Sequence, residues 1–292
     1  MRTVIPDFQN LIAASVMLWH HIIPYGKAAF FAAPWTMFIF LPFNFSFGLA
    51  FWQACSILAV VVCAMLANPT NRWFPLLMIF MPPTIFLVSE GQDSALVALA
   101  CTVLLIEVAG KCRPWVILIC LFVASAKVSI AAFPAVVALV ILVYKKQYKS
   151  LMFIAILFGG LDIIFEMIYP GITMQWILAM KTGNVVENGW PPYLVLLSLP
   201  NGWIIPMGLN YYSAAPWFIS LPILAAFAWL MRKGLTRGNI ALALSIGFLF
   251  LPYWRIYDLV MLSYPVGVLI DIVPQTWNRA RLSLKSRRVV KP

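Results

Sequence analysis

Apolar residues along this chain form long blocks instead of alternating with polar residues. Nine blocks approach the length that a helix needs to cross roughly 30 Å of hydrocarbon; they lie at about 46–67, 72–89, 93–110, 114–127, 129–144, 150–168, 215–231, 239–252 and 258–273. Only helices and closed barrels satisfy the backbone in hydrocarbon, and these blocks lack the period-two pattern of barrel strands. The pattern therefore predicts an all-α fold, a polytopic transmembrane helix bundle of about nine spans.

The start of the chain and one internal segment depart from this pattern. Residues 28–42 are apolar but short and are interrupted by Pro34, so they are expected to dip into the outer leaflet and return. Residues 11–26 are expected to form an interfacial helix or half of a hairpin with 28–42. The long loop 169–216 is rich in aromatic residues and proline, and long loops in compact folds are often functional lids. The chain is predicted to be one membrane domain, 1–292, with an outer N-terminal segment, a long outer loop and a basic cytoplasmic tail at 1–45, 169–216 and 279–292.

Composition and charge agree with this interpretation. The chain is 63% hydrophobic and 10% charged, whereas soluble domains are about a quarter charged. Of its 20 lysines and arginines, 15 lie in short segments between or after apolar blocks, which marks those segments as cytoplasmic. The net charge of +11 therefore reports orientation in a cell inner membrane, with the C-terminus in the cytoplasm, and not nucleic-acid binding. The five cysteines are expected to be small buried residues, and neither a metal nor a cofactor is expected.

Polar side chains gather at the predicted outer edge of the bundle, where each is costly. Lys127 separates two apolar runs, so it is either paired or faces a water-filled cavity. Asp162 and Glu166 lie four residues apart and share one helix face. The alternative is that the charges pair with each other to hold helices together, as Glu107 and Lys111 are expected to do near the inner end. The outer set is Asp7, Glu90, Gln92, Asp93, Lys127, Asp162, Glu166, Lys181, Glu187, Arg255 and Asp258.

The order of several motifs is similar to that of a known family. A proline precedes Gly91-Gln92, a helix and a short basic loop follow, and the next helix ends at Lys127 before another with a basic end at 145–149. With the C-terminal segment FLFLPYWRIYDLVMLSYPVGVLI, this order resembles the polytopic GT-C glycosyltransferases, within them glycosyltransferase family 87, which depends on polyprenyl-phosphate mannose. The N-terminal segment IPDFQNLIAASVML resembles the family's first outer loop, in which an Asp, here Asp7, is followed by an aromatic residue. Two features depart from the family. The family's transmembrane helix before this Asp is missing, which suggests a truncated start, a decayed copy or a partner subunit that supplies the helix. The family's Tyr-Pro-Pro is reduced to Ala33-Pro34.

The resemblance implies a membrane glycosyltransferase. It would transfer a hexose, most simply mannose, from a polyprenyl-phosphate sugar donor to a glycan or glycolipid acceptor at the outer face of the lipid bilayer. The matched motifs imply that Asp7 is the general base. They assign the lipid phosphate to Lys127 and Arg255, and the remaining substrate contacts to Glu90, Gln92 and Asp258.

Other interpretations stay open at this point. Asp7 could instead cap the helix that begins near Phe8, and Arg255 could pair with Asp258. A transporter or flippase would also carry charges inside a helix bundle, although the polar residues gather at one face and not at the midplane. A non-catalytic membrane subunit is the third class.

Overall fold

The computed structural model describes residues 7–25, 32–182, 236–249 and 256–272. Within these ranges the chain is all-helical and contains no β-strand. The helices are α1 (Asp7–Trp19), α2 (Met37–Phe40), α3 (Gly48–Ala67), α4 (Trp73–Phe80), α5 (Pro82–Glu90), α6 (Ser94–Ala109), α7 (Pro114–Ala124), α8 (Val128–Tyr144), α9 (Tyr148–Ile168), α10 (Ile172–Thr182), α11 (Arg237–Leu249) and α12 (263–272). The predicted span at 215–231 and the basic tail at 279–292 lie outside the described residues.

Two of these helices, α3 and α9, are long and apolar enough to cross a membrane. A third span is possible if α4 and α5 count as one, but they are bent by 58° where they meet, just before the pair Pro82-Pro83. The all-helical prediction is confirmed, whereas nine full spans are not, because the other described blocks form shorter apolar helices. The block at 114–127 ends in the 3-10 turn Ser125–Lys127, and the block at 258–273 begins inside the 3-10 helix Ile256–Leu262.

Helix α6 is the centre of the packing. It contacts α3, α7 and α8, and its residues Cys101, Leu104, Leu105 and Val108 are fully buried. Its sequence explains this position, because small residues and aliphatic ones occur all around the helix, with a single acid, Glu107, near its C-terminal end. Helix α9 is the opposite case: most of its apolar side chains are exposed, as expected of a helix that faces lipid.

The segment after residue 32 is a short helical stretch and not a span. It runs as a 3-10 turn, the four-residue helix α2 and a second 3-10 turn, ending at Phe43. The Trp35 Nε1 donates a hydrogen bond of 2.8 Å to Ser125 Oγ, and the Trp35 ring packs against Phe158 and Trp176. The segment is thereby fixed onto the turn that carries Lys127.

At the other end of α6, Glu107 pairs with Arg113 and not with Lys111 as predicted. The Arg113 Nη2 lies 2.7 Å from Glu107 Oε2, and the Arg113 Nε donates to Oε1 at 2.9 Å. The prediction was wrong because α6 ends at Ala109, so Lys111 is no longer on the helix, while Cys112 at a φ of 53° turns the chain back. The hydrogen bond to Glu107 also raises the pKa of the Arg113 guanidinium above its ordinary value.

The five cysteines are free thiols. Four of them are buried and Cys55 is half-buried, as expected for small apolar residues.

Candidate functional site

A polar cluster around Lys127 joins three distant parts of the sequence. The Lys127 Nζ lies 2.7 Å from Asp258 Oδ1 and donates to Ser94 Oγ at 2.8 Å, with a longer contact of 3.5 Å to Gln92 Oε1. The Ser94 hydroxyl donates to the same Asp258 oxygen at 2.7 Å. We call these four residues the Lys127 cluster. It links the start of α6, the α7–α8 turn and the 3-10 helix Ile256–Leu262.

The cluster is deeply buried. The Asp258 side chain is 1% exposed and that of Lys127 is 12% exposed, and Gln92, Asp93 and Ser94 are buried as well. An isolated charge in such a place would cost several kcal/mol or more, so a buried carboxylate needs a cation and further hydrogen bonds. Lys127 and Ser94 supply these contacts to Asp258.

The turn between α5 and α6 positions Gln92 and Ser94. Helix α5 ends at Glu90 and is capped by Gly91, whose φ of +65° lies in the left-handed region that favours glycine. The backbone N–H of Gln92 then donates to Leu87 O at 3.1 Å, and the Trp52 Nε1 donates to Gly91 O at 3.0 Å. Helix α6 begins at Ser94, directly after this closed turn, and the turn holds the Ser94 hydroxyl towards Lys127.

The same turn receives the first helix of the chain. A Cβ atom added at Gly91 would lie 2.5 Å from Phe8 Cβ, so the two backbones approach closely. Phe8 is buried and its ring lies 6.0 Å from that of Trp52. Asp7 is the first residue of α1 and the neighbour of Phe8. The α1 start therefore lies beside the turn that carries Gln92, although the Asp7 side chain is outside the described atoms.

We expect Gly91→Ala to destabilise the protein by about 1–3 kcal/mol, because alanine is strained at this φ and its Cβ would collide with Phe8. Gly171→Ala is the matched control. Gly171 also has a positive φ, of 83°, but nothing lies within 4 Å of an added Cβ. Thermal unfolding of the two variants in detergent should therefore give a lower midpoint for Gly91→Ala. Equal midpoints would mean that backbone strain alone matters and that the Phe8 contact is unimportant.

The other predicted site residues do not all join the cluster. Glu90 is half-exposed at the end of α5, and it has no contact with Lys127 in the described structure. Arg255 and Glu187 lie outside the described residues, as does the side chain of Lys181. Asp258 pairs with Lys127, a cation that sequence spacing did not suggest. The predicted pair of Asp258 with Arg255 involves a residue outside the described structure and stays a prediction.

Asp162 and Glu166 are used locally. The Thr173 hydroxyl donates to Asp162 Oδ1 at 2.8 Å, and the Thr173 backbone N–H donates to Glu166 Oε2 at 3.2 Å. Glu166 also accepts a hydrogen bond from the Gly171 backbone. Both carboxylates thus serve the start of α10, where a negative charge is favourable. Their shared helix face explains why one threonine reaches both.

An open groove runs beside α1. It has a volume of about 460 Å³, within the size range of ligand pockets. Its walls are mostly apolar, with the amides of Gln9 and Asn44 as polar groups. Because Phe8 belongs both to the groove and to the Gly91 contact, the groove lies next to the α5–α6 turn. The lining residues are Phe8, Gln9, Ile12, Ala13, Val16, Phe43, Asn44 and Phe45.

Sequence reasoning missed Ser94 as a member of the cluster. The available signal was its position at the first turn of α6, directly after the polar run from Glu90 to Asp93. The described residues hold no group of three or more His, Cys, Asp or Glu side chains arranged to bind a metal ion. No protein-family model matches the chain, and neither a curated protein nor a solved structure shows significant similarity to it.

Proposed function

We propose that this protein is a membrane glycosyltransferase that transfers a hexose from a polyprenyl-phosphate sugar to a glycan or glycolipid acceptor at the outer face. The observation that carries the proposal is the Lys127 cluster. Its Gln92, Lys127 and Asp258 come from separate motifs of the family resemblance, and they meet in one buried place. Ionisable residues inside membrane helices usually mark a substrate site or its support.

The contacts of Lys127 support binding of sugar hydroxyls by this residue, in place of the lipid phosphate that the family resemblance implies. An ammonium group has three protons, and here they face Asp258, Ser94 and Gln92. The Lys127 charge is already matched by the Asp258 carboxylate at 2.7 Å. A cation that is paired in this way suits the hydroxyl groups of a neutral sugar better than an additional phosphate. In the proposal, a sugar oxygen replaces the long Gln92 contact, and Arg255 remains the residue for the lipid phosphate.

The α1 region would supply the remaining parts of the site. Asp7 would take the proton from the acceptor hydroxyl, directly or through one water. Its neighbour Phe8 packs on Gly91, one residue from Gln92. The adjoining apolar groove of about 460 Å³ would hold part of a prenyl chain. Sugar contacts and lipid would then be adjacent, because Phe8 both lines the groove and packs on the Gly91 turn.

Transfer by the purified protein would test the function directly. The full chain would be incubated with radiolabelled polyprenyl-phosphate mannose and a membrane glycan extract, and labelled product would be counted. The same protein in liposomes would be tested for movement of the labelled lipid between leaflets. Product without flux supports the transferase. Flux without product would instead favour a flippase, and neither activity would favour a non-catalytic subunit.

The proposed function also requires that the Lys127 end of the bundle face outward and that Lys146 lie in the cytoplasm, and this orientation can be measured. With the native cysteines replaced, a cysteine introduced by Lys146→Cys should react with an impermeant thiol reagent only after cells are opened. Lys146 is chosen because it is exposed, whereas the nearby Ser150 is buried. A cysteine introduced by Glu187→Cys should react in intact cells. Labelling of the Lys146→Cys variant from outside would reverse the orientation and exclude an outer-face active site at Lys127.

A further inference from the structure

Two neighbouring loops at the inner end of the bundle bring four lysines together. The Lys145 Nζ donates to Val108 O and Ala109 O, each at 2.7 Å, and lies 4.0 Å from Cys112 Sγ. These contacts dock the α8–α9 loop onto the α6–α7 loop. Lys111 follows Ala109 by two residues, so it lies in the loop that Lys145 contacts. We call Lys111, Lys145, Lys146 and Lys149 the two-loop patch.

The patch has an excess of positive charge. No Asp or Glu occurs between Val108 and Leu161, and the nearest acid, Glu107, is already bonded to Arg113. In the described part of the chain, Lys111, Lys146 and Lys149 are exposed and none of them forms an ion pair. Four like charges in such close proximity repel each other, so an anionic ligand would be favourable here.

The patch is also held in a defined conformation. Helix α8 closes with hydrogen bonds from Lys146 N to Val143 O and from Gln147 N to Leu142 O, at 3.0 and 2.9 Å. Lys146 adopts a φ of 55° in this closing turn. The lysines therefore start from a fixed backbone, and a ligand would not have to order the loop.

Exposed aromatic side chains lie beside the lysines of the patch in the sequence. Trp115, Tyr144 and Tyr148 are 60%, 57% and 64% exposed, and the Arg113 guanidinium lies 5.6 Å from the centre of the Trp115 ring. Trp and Tyr are enriched where hydrocarbon meets the lipid headgroups. Their presence beside the lysines is what a site at headgroup depth, within reach of lipid phosphates, would require.

We propose that the two-loop patch binds the phosphodiester headgroups of anionic phospholipids in the surrounding leaflet. The charge of the patch is complementary to that headgroup, and the aromatic residues beside the lysines suit a site at headgroup depth. This site is separate from the Lys127 cluster, and it does not depend on the glycosyltransferase activity. Its occupant is the bilayer itself and not an acidic protein.

Titration of the full chain with fluorescent phosphatidylglycerol or phosphatidylcholine in detergent would test this proposal, with anisotropy as the signal. The triple variant Lys111→Gln, Lys146→Gln and Lys149→Gln should bind phosphatidylglycerol about a hundredfold more weakly, since each basic residue near an anionic surface contributes roughly fivefold. Binding of phosphatidylcholine should not change. The phosphatidylglycerol affinity of the unmutated chain should also fall when salt is raised, because these exposed charges are screened.

The matched control removes the same charge elsewhere. The triple variant Arg2→Gln, Lys27→Gln and Lys181→Gln lies outside the patch and should keep the affinity of the unmutated chain. If the patch variant does not fold, the Lys146→Gln single variant should still show about a fivefold loss. Equal losses in the two triple variants would mean that net charge alone acts. Unchanged lipid affinity in the patch variant, displacement of the lipid by equimolar inorganic phosphate, or tighter binding to an acidic peptide would each overturn the proposal.

Discussion

Replacing Asp258 with alanine is expected to lower the free energy of unfolding by about 3–5 kcal/mol, because it leaves the Lys127 charge buried without its partner. The side chains of Asp258 and Lys127 are 1% and 12% exposed, so water replaces little of the lost interaction. The Ser94 hydroxyl would also lose its acceptor. The measurement is thermal or denaturant unfolding of purified protein in detergent, together with the amount of folded protein recovered from membranes.

A matched control comes from the other end of the bundle. The pair between Arg237 and Asp271 has the same type of contact at 2.9 Å, but its side chains are 44% and 13% exposed. Asp271→Ala should therefore cost only up to about 1 kcal/mol, as exposed ion pairs do. Equal losses for Asp258→Ala and Asp271→Ala would show that burial of the Lys127 cluster contributes nothing to its strength.

A double variant tests whether the Lys127 cluster only holds the helices together or also contacts the sugar. Replacing a buried ion pair with apolar residues of similar volume is often neutral or stabilising. The combination of Lys127→Met and Asp258→Leu should therefore be more stable than either single variant. If it is as stable as the unmutated chain and still transfers sugar, the cluster serves only to hold the helices together. A stable but inactive double variant supports the proposed sugar contacts.

The helical class of this protein could be predicted from sequence because apolar block length depends on local chemistry alone. Gly48–Ala67 is the clearest example, since its 20 residues form a span-length helix near the predicted bounds of 46–67. Where proline pairs or polar residues interrupt a block, length no longer determines structure. The 58° bend between Trp73–Phe80 and Pro82–Glu90 depends on how neighbouring helices pack around the backbone groups that lose their helical hydrogen bonds at the proline pair. Sequence periodicity does not contain that information.

The Lys127 cluster illustrates the same limit for the site. Sequence reasoning recognised that Lys127 must be paired or solvated, because a lone ammonium between two apolar runs is costly. It could not choose the partner, since Asp258 is 131 residues away and spacing rules apply only within one helix. For Glu107, the helical i,i+4 rule selected Lys111, and the rule failed because the helix ends first, at Ala109. Tertiary contacts decide the first pair and the end of the helix decides the second, and residue types alone specify neither.

The largest effect on activity is expected for Asp7→Asn, which should reduce sugar transfer to background while leaving folding nearly unchanged. Asn keeps the size of Asp and an oxygen that can accept a hydrogen bond, so a helix-cap function at the start of α1 would survive. It cannot take up a proton from an attacking hydroxyl, and loss of a general base typically lowers the rate by about 10² to 10⁴-fold.

Asn10→Ala provides the control for Asp7→Asn, because it alters a polar residue three positions away that does not line the groove and removes no carboxylate. It should retain most of the transfer rate. Both variants should match the unmutated chain in thermal unfolding, which excludes a folding defect as the cause. An Asp7→Asn protein with full transferase activity would dismiss Asp7 as the base, and the base would then have to be sought among the other outer carboxylates. Of these, Glu90 is the first to test, because it is half-exposed and stands directly before the Gly91–Gln92 turn.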